Sequence, residues 1–355
     1  MAMPNVFDKL WDGCVIPAHP LALTSENRLD ERRQRALTRY YLAAGAGGLA
    51  LGVHTTQFAI HDPKVGLYRP VLELAAETSR QATGSSGFEP PIMIAGLVGD
   101  TAQAAREAEL AARLGYHLGL LSLTALRGKP VDELIDHARQ VADVIPIMGF
   151  YLQATISRMV LPREFWSRLV EIPNVRAIKI APFNRYQTLD VLEAVAQSRR
   201  RDEIALYTGN DDNILIDLLT PYTFHTERGD VSLQIVGGLL GQWACWTKEA
   251  AEHLRAIRGF RKAKTPIPQK MFTLASQMTL ANKAIFDADN NFAGCIPGIS
   301  YVLQRQGLMS HIGALDPADR LSPGQTDRID GIIRDYPHLT DDEFVRANLD
   351  KWLSL

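Results

Sequence analysis

The chain has 355 residues, with 38 Lys and Arg against 40 Asp and Glu and a formal net charge of −2. Near-neutral charge gives no reason to expect a nucleic-acid or membrane-surface partner, and no apolar run is long enough to span a bilayer. The N-terminal stretch MAMPNVFDKLWDG lacks an apolar signal core, and Cys14, Cys245 and Cys295 are too scattered for a metal or disulfide framework, so buried thiols in a cytoplasmic protein are expected.

One pattern repeats along the chain: a short apolar run, a polar or glycine end, then an amphipathic helix. The runs are 14–18, 48–53, 91–98, 118–124, 145–152, 175–181, 203–209 and 232–239. The first helix, 30–45, opens with acids and closes on glycine, as the macrodipole and C-cap geometry favour. The second, near 66–80, must hold Pro70 in its first turn. The helix over 101–115 is alanine-rich, with Thr101 read as its cap. Helical patterns then follow each remaining apolar run. Past residue 258 only helices are expected, near 269–286, 299–309, 325–336 and 341–353.

Eight alternating units with continuously apolar strands predict a parallel sheet covered by helices. Eight units close a (β/α)8 TIM barrel. The doubly wound alternative needs a glycine-rich turn after the first strand, and PAHPLALTSENR is not one. The expected organisation is a barrel over residues 1–245 with a C-terminal helical extension over 246–355.

The active site of such a barrel lies at the C-terminal ends of its strands. Strand six carries Lys179 among small apolar residues, Val175, Ala177 and Ala181 at strand spacing. An unpaired buried ammonium is expensive; the usual escape is a lowered pKa, and a neutral amine attacks carbonyls. Tyr151 lies 28 residues earlier, at the end of strand five. A phenol beside the amine would shuttle protons while an imine forms, and the iminium would act as electron sink for chemistry at the adjacent carbon. Other polar groups at strand ends are His54, Thr55 and Thr56 after strand two, Gln153 after strand five, and Gly209, Asp211 and Asp212 after strand seven. Asp211 and Asp212 read either as acceptors for substrate hydroxyls or as caps of the helix NILIDLLT.

Taken together, the strand-five tyrosine, the I-K lysine of strand six, the small-residue turn GVHTT and the YTGNDD stretch resemble the dihydrodipicolinate synthase / N-acetylneuraminate lyase superfamily, over roughly residues 10–310. The resemblance implies Lys179 as the imine lysine, Tyr151 as the proton-transfer tyrosine, and a 2-oxo acid such as pyruvate or a keto-sugar acid as substrate, with no cofactor and no metal. The other expected partner is a second copy of the chain, in a dimer or tetramer. Three departures stand out. Val53 and His54 occupy positions where the family places hydroxyls, unless Thr55 and Thr56 replace them. No second tyrosine follows strand four, and only a displaced Arg158 follows strand five. These departures speak against dihydrodipicolinate synthesis itself. The alternatives are a metal-dependent hydrolase or aldolase on the same barrel, and a barrel that binds a sugar acid without chemistry.

Overall fold

The computed structural model describes residues 6–86 and 89–354, so Met1–Asn5 of the N-terminal stretch read above lie outside it. The chain is a (β/α)8 barrel with additional C-terminal helices. Eight strands form one sheet: β1 (Val15–Pro17), β2 (Gly48–Leu51), β3 (Ile92–Leu97), β4 (Leu118–Leu121), β5 (Ile147–Tyr151), β6 (Val175–Ile180), β7 (Ala205–Thr208) and, after a two-stranded ribbon β8 (Pro221–Thr226) and β9 (Gly229–Gln234), β10 (Gly237–Leu240). The chain divides into two compact units: residues up to Cys14 with Ile92–Leu239, and Val15–Pro91 with the residues from Leu240 onward. The C-terminal helices therefore share a unit with the first two β/α repeats, whereas the sequence suggested a division at residue 245.

In the first unit, β3 to β7 pair in parallel in chain order and β10 pairs with β7. The strands are buried along almost their whole length, as sheet strands covered on both faces must be. A register shift falls between Ile147 and Met148 of β5, after which Phe150 stands opposite Lys179 and Tyr151 opposite Ile180.

The run expected as strand eight, 232–239, is two elements. Residues 229–234 pair antiparallel with 221–226, and only Gly237–Leu240 joins the sheet. The alternating exposure of β8 and Gly229 at φ 97° in the tight connection explain the ribbon. Its residues alternate as a half-exposed strand does, which apolar-run reading passes over. The helix Thr101–Arg113 is capped by Asp100, whose carboxylate accepts from the Gln103 amide at 2.8 Å, one residue before the expected cap.

In the second unit, an isolated parallel bridge joins Ala18 to Ala50. Helix Glu31–Ala44 is fastened to the C-terminal helices by polar groups. Tyr40 donates to Asp341 at 2.7 Å and accepts from the Thr247 amide at 2.8 Å. His19 is fully buried, bonded to Thr38 at 2.9 Å, and burial lowers its pKa to about 4, so the ring is neutral. Among the described residues no helix is long and apolar enough to cross a membrane.

Candidate active site

Lys179 is the fifth of six residues in β6, and its side chain is buried. Residues in register on neighbouring parallel strands share a face. Lys179 therefore shares one with Phe150 of β5 and Tyr207 of β7. Its Nζ stands 4.5 Å from the centre of the Phe150 ring. That contact favours a cation but supplies no proton acceptor. The lysine stem runs across Gly209: a Cβ placed there would lie 2.7 Å from Cε of Lys179 and 2.6 Å from Cβ of Ala181. Glycine at 209 is thus the space the lysine occupies.

Burial lowers the Lys179 pKa from 10.5 to about 8, opposed by the negative charge of Asp211. At pH 7 an amine titrating at 8 is about one-tenth neutral, against about one in three thousand for an ordinary lysine. The residue is charged at rest yet readily deprotonated, which suits a carbonyl nucleophile.

Tyr151 does not face Lys179. It stands opposite Ile180, on the other side of the sheet. Its ring lies 5.1 Å from that of Trp166 on helix Arg163–Leu169, and its hydroxyl donates to the Leu161 carbonyl at 3.3 Å. Gly149, two residues earlier, also faces this helix, against Leu169. Burial pushes the Tyr151 pKa up to about 12, and the charge of Asp190 adds to the effect. The expected phenol–amine pair is therefore corrected: the two residues occupy adjacent strands but opposite faces, and Phe150 holds the position beside the amine. Tyr207 shares the lysine's face, but its hydroxyl donates to the Leu10 carbonyl at 2.8 Å and lies 3.4 Å from Cys14 Sγ.

The loop after β7 carries Gly209, Asn210, Asp211 and Asp212. Asn210 points to the helix side, where its amide donates to Asp217 at 3.0 Å and Thr188 at 3.2 Å while its carbonyl accepts from the Phe183 amide at 3.0 Å. Phe183 has a φ of 54°, so this bond holds a left-handed turn just after the lysine strand. Asp217 is fully buried and collects Arg185, Thr208, Asn210 and Asn213. This cluster locks the β6 and β7 exits together. The sequence held a signal for it: a carboxylate inside the apolar helix NILIDLL needs partners.

Asp211 is buried and Asp212 exposed. The residue at the N-cap of helix Ile214–Leu219 is Asn213, so neither carboxylate is that helix's N-cap residue. Gln153 is buried at the start of a short turn after β5, and Arg158 is exposed. The strand-two residues belong to the other unit. His54, Thr55 and Thr56 form a single 3-10 turn; Thr55 and Thr56 are buried and donate their hydroxyls to the carbonyls of Ala18 and His19, each at 2.7 Å. Both hydroxyl protons are thus committed to the backbone of the first β/α connection. Among the described residues no group of three or more His, Cys, Asp or Glu side chains is placed to hold a metal ion.

No protein-family model matches the chain. It is 25% identical over 300 residues to the 4-hydroxy-tetrahydrodipicolinate synthase of Cyanothece sp. (strain PCC 7425), covering 83% of this chain and 88% of that protein. That match runs over most of both chains and includes the buried lysine on the sixth barrel strand. The chain is similar to proteins of the dihydrodipicolinate synthase / N-acetylneuraminate lyase superfamily. Solved structures of the superfamily share its fold. The dihydrodipicolinate synthase of Acinetobacter baumannii, in complex with pyruvate, superposes with a TM-score of 0.72 at 16% identity, over 91% of this chain and 98% of that one. A prophage protein of the same family from E. coli K12, also in complex with pyruvate, gives 0.71 at 15% identity, over 90% and 97%.

Proposed function

We propose that this protein is a Schiff-base-forming lyase that acts on a 2-oxo acid, pyruvate or a keto-sugar acid, through an imine at Lys179. One observation carries the reading: the amine is buried on the inner face of β6, over a glycine that makes room for it, and titrates near 8. Such an amine adds to a ketone, loses water and leaves an iminium, which stabilises a carbanion at the neighbouring carbon. Relatives named as dihydrodipicolinate synthases, and family structures solved with pyruvate, support the same substrate class. Gln153, Gly209, Asp211 and Asp212 would contact the substrate on the lysine's side of this unit. Because the family's second tyrosine is missing and Arg158 is displaced, condensation with aspartate semialdehyde is not the reaction proposed.

Phe150 in place of a phenol beside the amine favours a second reading, a barrel that binds a sugar acid without turning it over. Borohydride reduction in the presence of a panel of 2-oxo acids separates the two. The lyase reading expects the reduced ligand mass on the peptide containing Lys179. Binding without any adduct, or an adduct on a different lysine with Lys179 intact, would refute it.

A further inference from the structure

Imine chemistry needs a group that moves protons, and the structure removes the tyrosine expected to do so. Tyr151 is on the helix side, bonded to the Leu161 carbonyl. Tyr207 shares the lysine's face but spends its hydroxyl on the Leu10 carbonyl. Phe150, nearest the amine on β5, has no proton to give. Among the described residues of β5, β6, β7 and the loop leaving β7, the ionisable partner remaining on this face is Asp211.

Three observations place it there. Gly209 faces inward, against Lys179 and Ala181, so the loop carrying Asp211 leaves β7 beside the lysine stem, while Asn210 faces the helices. The Asp211 amide bonds the Gly209 carbonyl at 3.1 Å, curling the chain back over the glycine on which the lysine stem rests. The carboxylate is buried, and its charge acts on the Lys179 ammonium.

We propose that Asp211 is the proton-transfer group for the imine at Lys179, in the place where a phenol is missing. This inference rests on the imine reading above. The carboxylate accepts a proton from the ammonium, freeing the lone pair that forms the C–N bond to the ketone carbon; the C=O π pair moves to oxygen, and a proton passes from nitrogen to that oxygen to give the carbinolamine. The carboxylic acid returns its own proton to the carbinolamine hydroxyl, whose C–O bond breaks as water leaves and the iminium forms. The net reaction is ammonium plus ketone giving iminium plus water. The restored carboxylate then takes a proton from the carbon next to the iminium, whose C–H electron pair becomes the enamine double bond.

Pyruvate tests this apart from sugar recognition, because it has no hydroxyls for a carboxylate to bind. Exchange of its methyl hydrogens in deuterated water, followed by NMR with the full chain, reports enamine formation directly. Asp211→Asn is expected to slow this exchange by about 10²–10⁴, while long incubation with pyruvate and borohydride still labels Lys179. Asp211→Ala, which leaves a space, is expected to regain at least tenfold on addition of formate. Exchange by a folded Asp211→Asn within threefold of the unsubstituted chain, or no rescue by formate, would overturn the assignment and leave the imine reading standing. An unsubstituted chain that never labels Lys179 would overturn the imine and this inference with it.

Discussion

Replacing Lys179 by Met tests the buried amine without any knowledge of substrate. Methionine keeps an unbranched stem of similar length over Gly209 and Phe150 and removes only the titrating group. In the unfolded chain the amine holds its proton up to pH 10.5; in the folded chain burial releases it near 8. Between these values the unfolded state binds more protons, so the native state gains stability as pH rises. Keeping the ammonium buried at neutral pH therefore costs about 3 kcal/mol, a cost that fades through the window from pH 8 to 10.5. Between pH 7 and 9.5 the unsubstituted chain should gain about 2 kcal/mol on the variant. For a chain of this length that corresponds to a change of about 3 °C in the difference between their melting temperatures. The absolute gap at one pH also contains the loss of Asp211's partner, so its change with pH is the informative quantity. Parallel melting-temperature curves over that range would show that the amine titrates as an ordinary lysine, and the argument for a poised nucleophile would fail.

Tyr151→Phe should lose about 1 kcal/mol, the worth of the bond to Leu161, and keep pyruvate exchange within threefold; a loss of a hundredfold would put the phenol back in the chemistry. Gly209→Ala forces a methyl group into the lysine stem and Ala181; overpacking should cost about 1–3 kcal/mol and slow borohydride labelling of Lys179, and wild-type labelling with an unchanged melt would contradict the packing described. Asp217→Ala strands Arg185, Thr208 and Asn210 and should destabilise the chain by about 3 kcal/mol or more in urea titration; a neutral result would mean the cluster holds nothing together. His19 titrates near 4 in the folded chain and 6.5 when unfolded, so stability present above pH 6.5 is lost as pH falls toward 4, by up to about 3 kcal/mol. His19→Gln should flatten that part of the urea-midpoint profile; an unchanged acid slope would point to other groups.

The alternation of eight apolar runs with amphipathic helices was enough to predict the barrel, because each strand of a parallel sheet is buried on both faces and each crossover needs a helix. The same burial hid which way a strand faces. IPIMGFY and VRAIKIA are apolar on both sides, so period two says which residues share a face and not which face is inward. At β6 the lysine itself supplied the answer, since only the inner face offers a buried amine something to do. At β5 a register shift between Ile147 and Met148 set Phe150, not Tyr151, beside it. A spacing of 28 residues determines the neighbouring strand and the height along it, but orientation depends on hydrogen-bond register, which is a property of two strands together. Asp211 shows the same division. Its residue type and position after strand seven were visible from the chain alone. Its return to the lysine's side came from the Asn210–Asp217 bond and the turn over Gly209, contacts between elements that no single segment of sequence encodes.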